Sequence, residues 1–143
     1  MTELILTQQH DTLFEIILNR PDKRNAINME MFAQLETAVT QANRTPDIRA
    51  VLIRGEGKAF SAGIDVSNLL GLATEYGPHW KTRMRRITDD FQSVLPNLER
   101  LELPTLAFLH GSCLGLAMEL ALDCVFRIDA PGPTLGLPES PLV

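Results

Sequence analysis

The chain has 143 residues, of which 45% are apolar and 22% charged, an ordinary globular balance that excludes a disordered, collagen-like or coiled-coil chain. With 13 Lys and Arg against 18 Asp and Glu the net charge is −5, so nucleic acid is not expected as a partner. Cys113 and Cys124 both sit in apolar runs and read as buried free thiols of a reducing compartment. Residues 1–6 carry Glu3 and no basic stretch, so no signal peptide is expected and the expected location is cytoplasmic.

Residues 4–7 and 12–18 are β-type runs that predict a hairpin joined through residues 8–11. Residues 19–25 are a charged loop, since Pro21 blocks strand continuation. Asn28 is a good N-cap, and Met31, Leu35, Ala38 and Ala42 then share one helical face up to Pro46. The run 50–53, bounded by Pro46 and Gly55, predicts a strand covered on both faces, followed by a loop to Asp65. Trp80, Met84, Ile87, Phe91, Val94, Leu98 and Leu101 recur every three or four residues and predict a long amphipathic helix bent at Pro96. Lys81, Arg83, Arg85 and Arg86 read as its solvated face.

The apolar stretch 103–122 is long enough to cross a bilayer, but Pro104, His110 and Glu119 interrupt it. It predicts a buried strand over 105–109 and a helix over 115–123, with another buried strand over 124–128. Helices alternating with such strands imply an α/β fold with parallel pairing, and no membrane span is expected.

Gly55-Glu56-Gly57 follows a strand, but position 60 is Phe, so the third glycine of a dinucleotide loop is missing. No phosphate loop occurs, and His10, His79 and His110 lie too far apart to suggest a metal site. Ser61 and Ser112 have no His and acid at a hydrolase spacing. Three segments carry more. Residues 59–65 pack small side chains after a strand, where exposed N–H groups can meet a ligand, or where a plain tight turn forms. Residues 110–120 run from a strand through glycines into a helix, whose unpaired first N–H groups favour negative charge. Glu119 lies one turn in, either buried with a raised pKa or on a wet edge. Glu139, in Gly136-Leu137-Pro138-Glu139, is a second carboxylate in an apolar setting, or an ordinary loop glutamate.

Taken in order, residues 18–27, 49–55 and 60–65, with His110-Gly111, Gly115, Glu119-Leu120-Ala121 and Leu137-Pro138-Glu139, resemble the enoyl-CoA hydratase/isomerase (crotonase) superfamily. The resemblance implies an α/β, crotonase-like spiral of ββα turns whose C-terminal part is missing, with residues 1–143 one acyl-CoA-binding domain truncated after the second glutamate. It implies an acyl-CoA thioester as substrate, with coenzyme A entering as part of it and no separate cofactor or metal. It also implies a role in fatty-acid β-oxidation and homotrimers or hexamers in full-length members. The oxyanion-hole amides map onto Ile64 and Leu116, and the paired glutamates onto Glu119 and Glu139. The CoA-binding positions map onto Lys23, Arg24, Ala26, Ala62, Gly63, Asp65 and Gly115. Leu116-Ala117 stands where many members carry glycines, so the Leu116 side chain is expected to narrow the approach. Two functions follow: hydration (or shift) of the double bond of an enoyl thioester, and a non-catalytic acyl-CoA-binding or assembly remnant.

Overall fold

The computed structural model describes residues 2–132 and 134–136. Strands β1 (Ile5–His10) and β2 (Leu13–Leu18) pair antiparallel from Ile5 with Leu18 to His10 with Leu13. The hairpin is tighter than expected. Residues 8–10 continue the strand, and the chain reverses at Asp11-Thr12, with Asp11 in the left-handed region (φ 51°) that Asp tolerates better than most residues. Helix α1 (Met29–Arg44) starts where the sequence places it: the Asn28 side chain accepts the Met31 N–H at 2.8 Å. Its buried face is Met31, Phe32, Leu35, Ala38, Val39 and Ala42, and Thr45 closes its last turn through bonds to Gln41.

Strands β3 (Ala50–Gly55) and β4 (Thr105–Leu109) extend β2 in parallel, and β6 (Phe126–Asp129) completes the order β1-β2-β3-β4-β6. Between them lie α2 (Val66–Tyr76), α3 (Trp80–Glu99), the short strand β5 (Ser112–Leu114) and α4 (Leu116–Asp123). One sheet face carries the cross-strand rows Phe14–Val51–Thr105 and Ile16–Ile53–Ala107, all buried. Leu35, Leu98, Cys113 and Leu120 join them in one core.

Four expectations change. First, β3 and β4 are not covered on both faces: burial alternates along each, because the opposite face is only partly shielded. Second, β6 is not a buried strand. Among the described residues it is the last strand of the sheet, with Phe126 and Ile128 exposed by 56% and 48%, and an apolar β-type run reads alike at a centre and an edge. Third, α2 fills part of what the periodicity left without structure. Its cap is Asp65, whose side chain accepts the Ser67 N–H at 3.1 Å. Fourth, α3 ends at Glu99, before Leu101, with Pro96 inside it. Of its expected stripe, Trp80 is exposed and Leu98 buried, while the side chains of Met84, Ile87, Phe91 and Val94 lie outside the described residues. The basic residues Lys81, Arg83, Arg85 and Arg86 are exposed, as expected. Among the described residues no helix is long and apolar enough to cross a membrane.

A second layer is built from connecting segments. Ile27 bridges Ile64, Ser61 bridges Cys113, and β5 pairs in parallel with β7 (Thr134–Gly136). Segments from four distant parts of the chain therefore lie side by side.

Candidate active site

The 20–25 loop is the foundation. Asn25 is fully buried in the left-handed conformation (φ 54°). Its Oδ1 accepts the Arg20 N–H at 2.7 Å, and its Nδ2 donates to the carbonyls of Glu56 and Ala59, both at 2.9 Å. It thereby joins this loop to the segment leaving β3. Arg20 donates to Asp65 Oδ2 at 2.6 Å and to the Ala26 carbonyl at 2.8 Å. The Asp65 carboxyl lies below its usual range because it accepts from Ser67 and pairs with Arg20, which together outweigh burial. Asp65, mapped by resemblance onto CoA binding, thus has its carboxylate engaged inside the fold.

Residues 61–65 run between two neighbours. On one side, Ala62 N–H donates to the Arg24 carbonyl, Ile27 N–H to that of Gly63 at 2.7 Å, and Asp65 N–H to that of Ile27 at 2.9 Å. On the other side, Ser61 N–H donates to the Ser112 carbonyl at 3.0 Å, and Leu114 N–H to that of Ser61 at 3.2 Å. In the Ile27–Ile64 bridge both bonds are made by Ile27, to the residues on either side of Ile64. The Ile64 N–H therefore points away from Ile27, toward the side where residues 112–115 lie. Gly63 makes the approach possible. It has φ +90°, and a Cβ there would stand 2.7 Å from the Leu114 carbonyl oxygen and 3.8 Å from the Gly115 Cα.

Leu116 follows Gly115 and begins α4. The first bonds of that helix run from Met118 and Glu119 N–H to the Gly115 carbonyl. Among the described residues neither the Ile64 N–H nor the Leu116 N–H has an acceptor. The two amides lie on adjoining segments, each next to a glycine in the left-handed half of φ space. The N-terminal dipole of α4 adds positive potential beside them. The Leu116 side chain packs into the core, with 8% exposure.

Glu119 is exposed, which corresponds to the wet-edge reading. Its charge and that of Glu99 act on Asp123, whose carboxyl is raised first by burial and then by these two neighbours. Glu139 lies outside the described residues; the last described strand pairs Gly136 with Leu114. Lys23 and Arg24 are exposed, whereas Ala26 and Ala62 are half-buried. Arg24 lines an open cleft of about 820 Å³ with Pro21, Gly57, Lys58, Gly111 and Ser112. Lys58 has no counterpart among the sequence-derived candidates; it is an exposed basic residue that lines the same cleft. Gly111 allows the cleft floor to close, since a Cβ there would sit 2.0 Å from the Lys58 carbonyl oxygen.

The family model for enoyl-CoA hydratase/isomerase matches residues 13–142. The chain belongs to that family. It is 38% identical over 128 residues to "Probable enoyl-CoA hydratase EchA14" of Mycobacterium tuberculosis (strain ATCC 25618 / H37Rv), covering 90% of this chain and 46% of that protein. It is 27% identical over 130 residues to the peroxisomal Delta(3,5)-Delta(2,4)-dienoyl-CoA isomerase of Arabidopsis thaliana, covering 87% of this chain and 47% of the isomerase. Its fold matches the crystal structure of an enoyl-CoA hydratase/isomerase from Xanthobacter autotrophicus Py2 with a TM-score of 0.86 at 31% identity, covering 95% of this chain and 49% of that one. The α/β architecture is thus that of the crotonase family. The chain spans about half the length of the curated relatives it matches.

Proposed function

We propose that this chain carries the thioester-binding half of an enoyl-CoA hydratase/isomerase-type enzyme, with hydration as its reaction. The observation that carries the reading is the packing of residues 61–64 against 112–115, which leaves the Ile64 and Leu116 N–H groups on adjoining segments without acceptors among the described residues.

Adding water to the β-carbon of an enoyl thioester moves negative charge onto the carbonyl oxygen. Two fixed amides donate to that oxygen and stabilise its charge without reorganising, and one such donor is worth about 2.7–4 kcal/mol in a water-excluded site. Glu119 and Glu139 hold the attacking water. One takes its proton, and a proton is then returned to the α-carbon. Lys23, Arg24 and Lys58 are the cations for the CoA phosphates, with Arg24 and Lys58 on the cleft beside the 21–24 loop. Ala26, Ala62, Gly63 and Gly115 let the pantetheine and thioester approach the backbone. No separate cofactor enters this scheme.

The test is hydration of crotonyl-CoA by the purified chain, followed as loss of the enoyl-thioester absorbance. Glu119→Gln and Glu139→Gln each remove most turnover. Near-normal rates in both variants overturn the role assignment. A 3-hydroxyacyl product marks hydration, and a displaced alkene marks isomerisation. The exposure of Glu119 favours a second reading, an acyl-CoA-binding chain without turnover. CoA binding in the absence of any absorbance change decides for that reading.

A further inference from the structure

We infer that Ser61 is a positioning residue that holds both donor segments in one frame; the inference rests on the reading of Ile64 and Leu116 as thioester-carbonyl donors. Ser61 is fully buried. Its main chain faces the second donor segment, through Ser61 N–H to the Ser112 carbonyl at 3.0 Å and Leu114 N–H to the Ser61 carbonyl at 3.2 Å. Its side chain faces the first. The hydroxyl donates to the Asn25 carbonyl at 2.8 Å and accepts the Gly63 N–H at 3.1 Å. One path from Ser61 therefore reaches the Ile64 amide through the Gly63 peptide. The other reaches the Leu116 amide through Leu114 and Gly115.

The hydroxyl proton points at a main-chain carbonyl, and the hydroxyl oxygen is occupied by an amide. Ser61 is therefore held as a brace, and its oxygen is not poised as a nucleophile. Gly63 needs such a brace. At φ +90° a glycine has wide backbone freedom, and the Ser61 hydroxyl is the partner that fixes its N–H. Alanine at position 61 keeps the main-chain bridge to 112–114 and the Ile27 bond to the Gly63 carbonyl but frees the Gly63 N–H. The Ile64 N–H is then held only through the Ile27 bonds to the Gly63 carbonyl and from the Asp65 N–H, with the preceding peptide loose, while Leu116 keeps its own frame. Threonine keeps the hydroxyl.

The test uses butyryl-CoA carrying a ¹³C-labelled thioester carbonyl, which binds without a double bond to hydrate. Isotope-edited infrared spectroscopy reads how far that carbonyl is polarised when bound. Wild type lowers the bound carbonyl stretch relative to free thioester. Ser61→Ala keeps the ligand bound but loses at least half of that lowering. With crotonyl-CoA its kcat falls by about 10- to 100-fold while KM stays within about threefold. Ser61→Thr restores most of both. A purely structural role would reduce the amount of folded, ligand-binding chain and leave the band position of the bound ligand unchanged. A wild-type band position in Ser61→Ala overturns the inference and leaves the proposed function standing. An unshifted band in wild type, or no bound band at all, overturns both.

Discussion

Replacing Asn25 by Ala tests whether one buried amide holds the site's foundation. The change removes three hydrogen bonds: from Arg20 N–H, to the Glu56 carbonyl and to the Ala59 carbonyl. At a net 0.5–1.5 kcal/mol each, these amount to roughly 1.5–4.5 kcal/mol. Two of the three partners are part-buried and regain water, which places the sum near the middle of that range. Alanine at φ 54° adds about 1 kcal/mol of left-handed strain that asparagine tolerates. The expected loss is therefore about 4 kcal/mol, a large share of the 5–15 kcal/mol typical of a domain. In urea unfolding followed by circular dichroism, with slopes of about 1–3 kcal/mol/M, the midpoint drops by roughly 1–4 M. Asn25→Gly loses the same bonds without the strain and falls about 1 kcal/mol less. A loss below about 0.5 kcal/mol for Asn25→Ala would refute the reasoning, since surface-like substitutions produce as much.

Asp65→Asn reports on the Arg20 pair through pH. The folded Asp65 carboxyl is lowered by Ser67 and Arg20, so its contribution is present above the unfolded value of about 3.9 and lost as pH falls through the lower folded value. The stability gap between wild type and variant should be flat from neutral pH to about 5 and close below about 4; a gap that persists or widens to pH 2 counts against it. Glu15 titrates alike in both proteins and cancels in the difference. There burial raises the carboxyl, but bonds from Arg54 and His10 bring it net below its ordinary value. Burial pushes both thiols up to about 11, with Asp129 adding to the effect at Cys113. Both should resist an aromatic disulfide reagent at about pH 8 and react on unfolding; modification of either within minutes in the native protein would contradict the burial described.

The secondary structure was legible wherever a local signal coincided with a long-range one. Asn28 marks the start of α1, and the apolar spacing behind it faces the core the sheet provides. Pro46 follows the end of α1 and Pro104 directly precedes β4, although α3 has already ended at Glu99, and an apolar run follows each proline. Helix α2 is marked in the sequence by its cap, Asp65, but that residue type also suits ligand contact. The exposure of β6 escaped because strand propensity does not encode position in a sheet. The candidate site was legible as three segments but not as an assembly. No periodicity announces the bridge between Ser61 and Cys113. In the sequence Ser61 shows only as a hydroxyl without a base, because a brace with main-chain partners leaves no residue pattern. Asn25 did leave one: an asparagine in a Pro-containing loop is a frequent left-handed residue that bonds its surroundings. Glu119 is flanked by apolar residues on a helix with a buried face, and its exposure follows only from its place on the helix circumference.

The bonds that assemble residues 24–27, 61–65 and 112–114 all join stretches separated by dozens of positions in the chain. The cradle therefore has no nucleus of its own. The β1–β2 hairpin and α1 can form from neighbouring residues early in folding, yet a molecule that has reached only that stage has not brought these three segments together. Contacts of such high order form slowly, after most of the loop-closure entropy has been spent. If the proposed function holds, acyl-CoA binding regained during refolding is a clock for the last step of folding rather than the first.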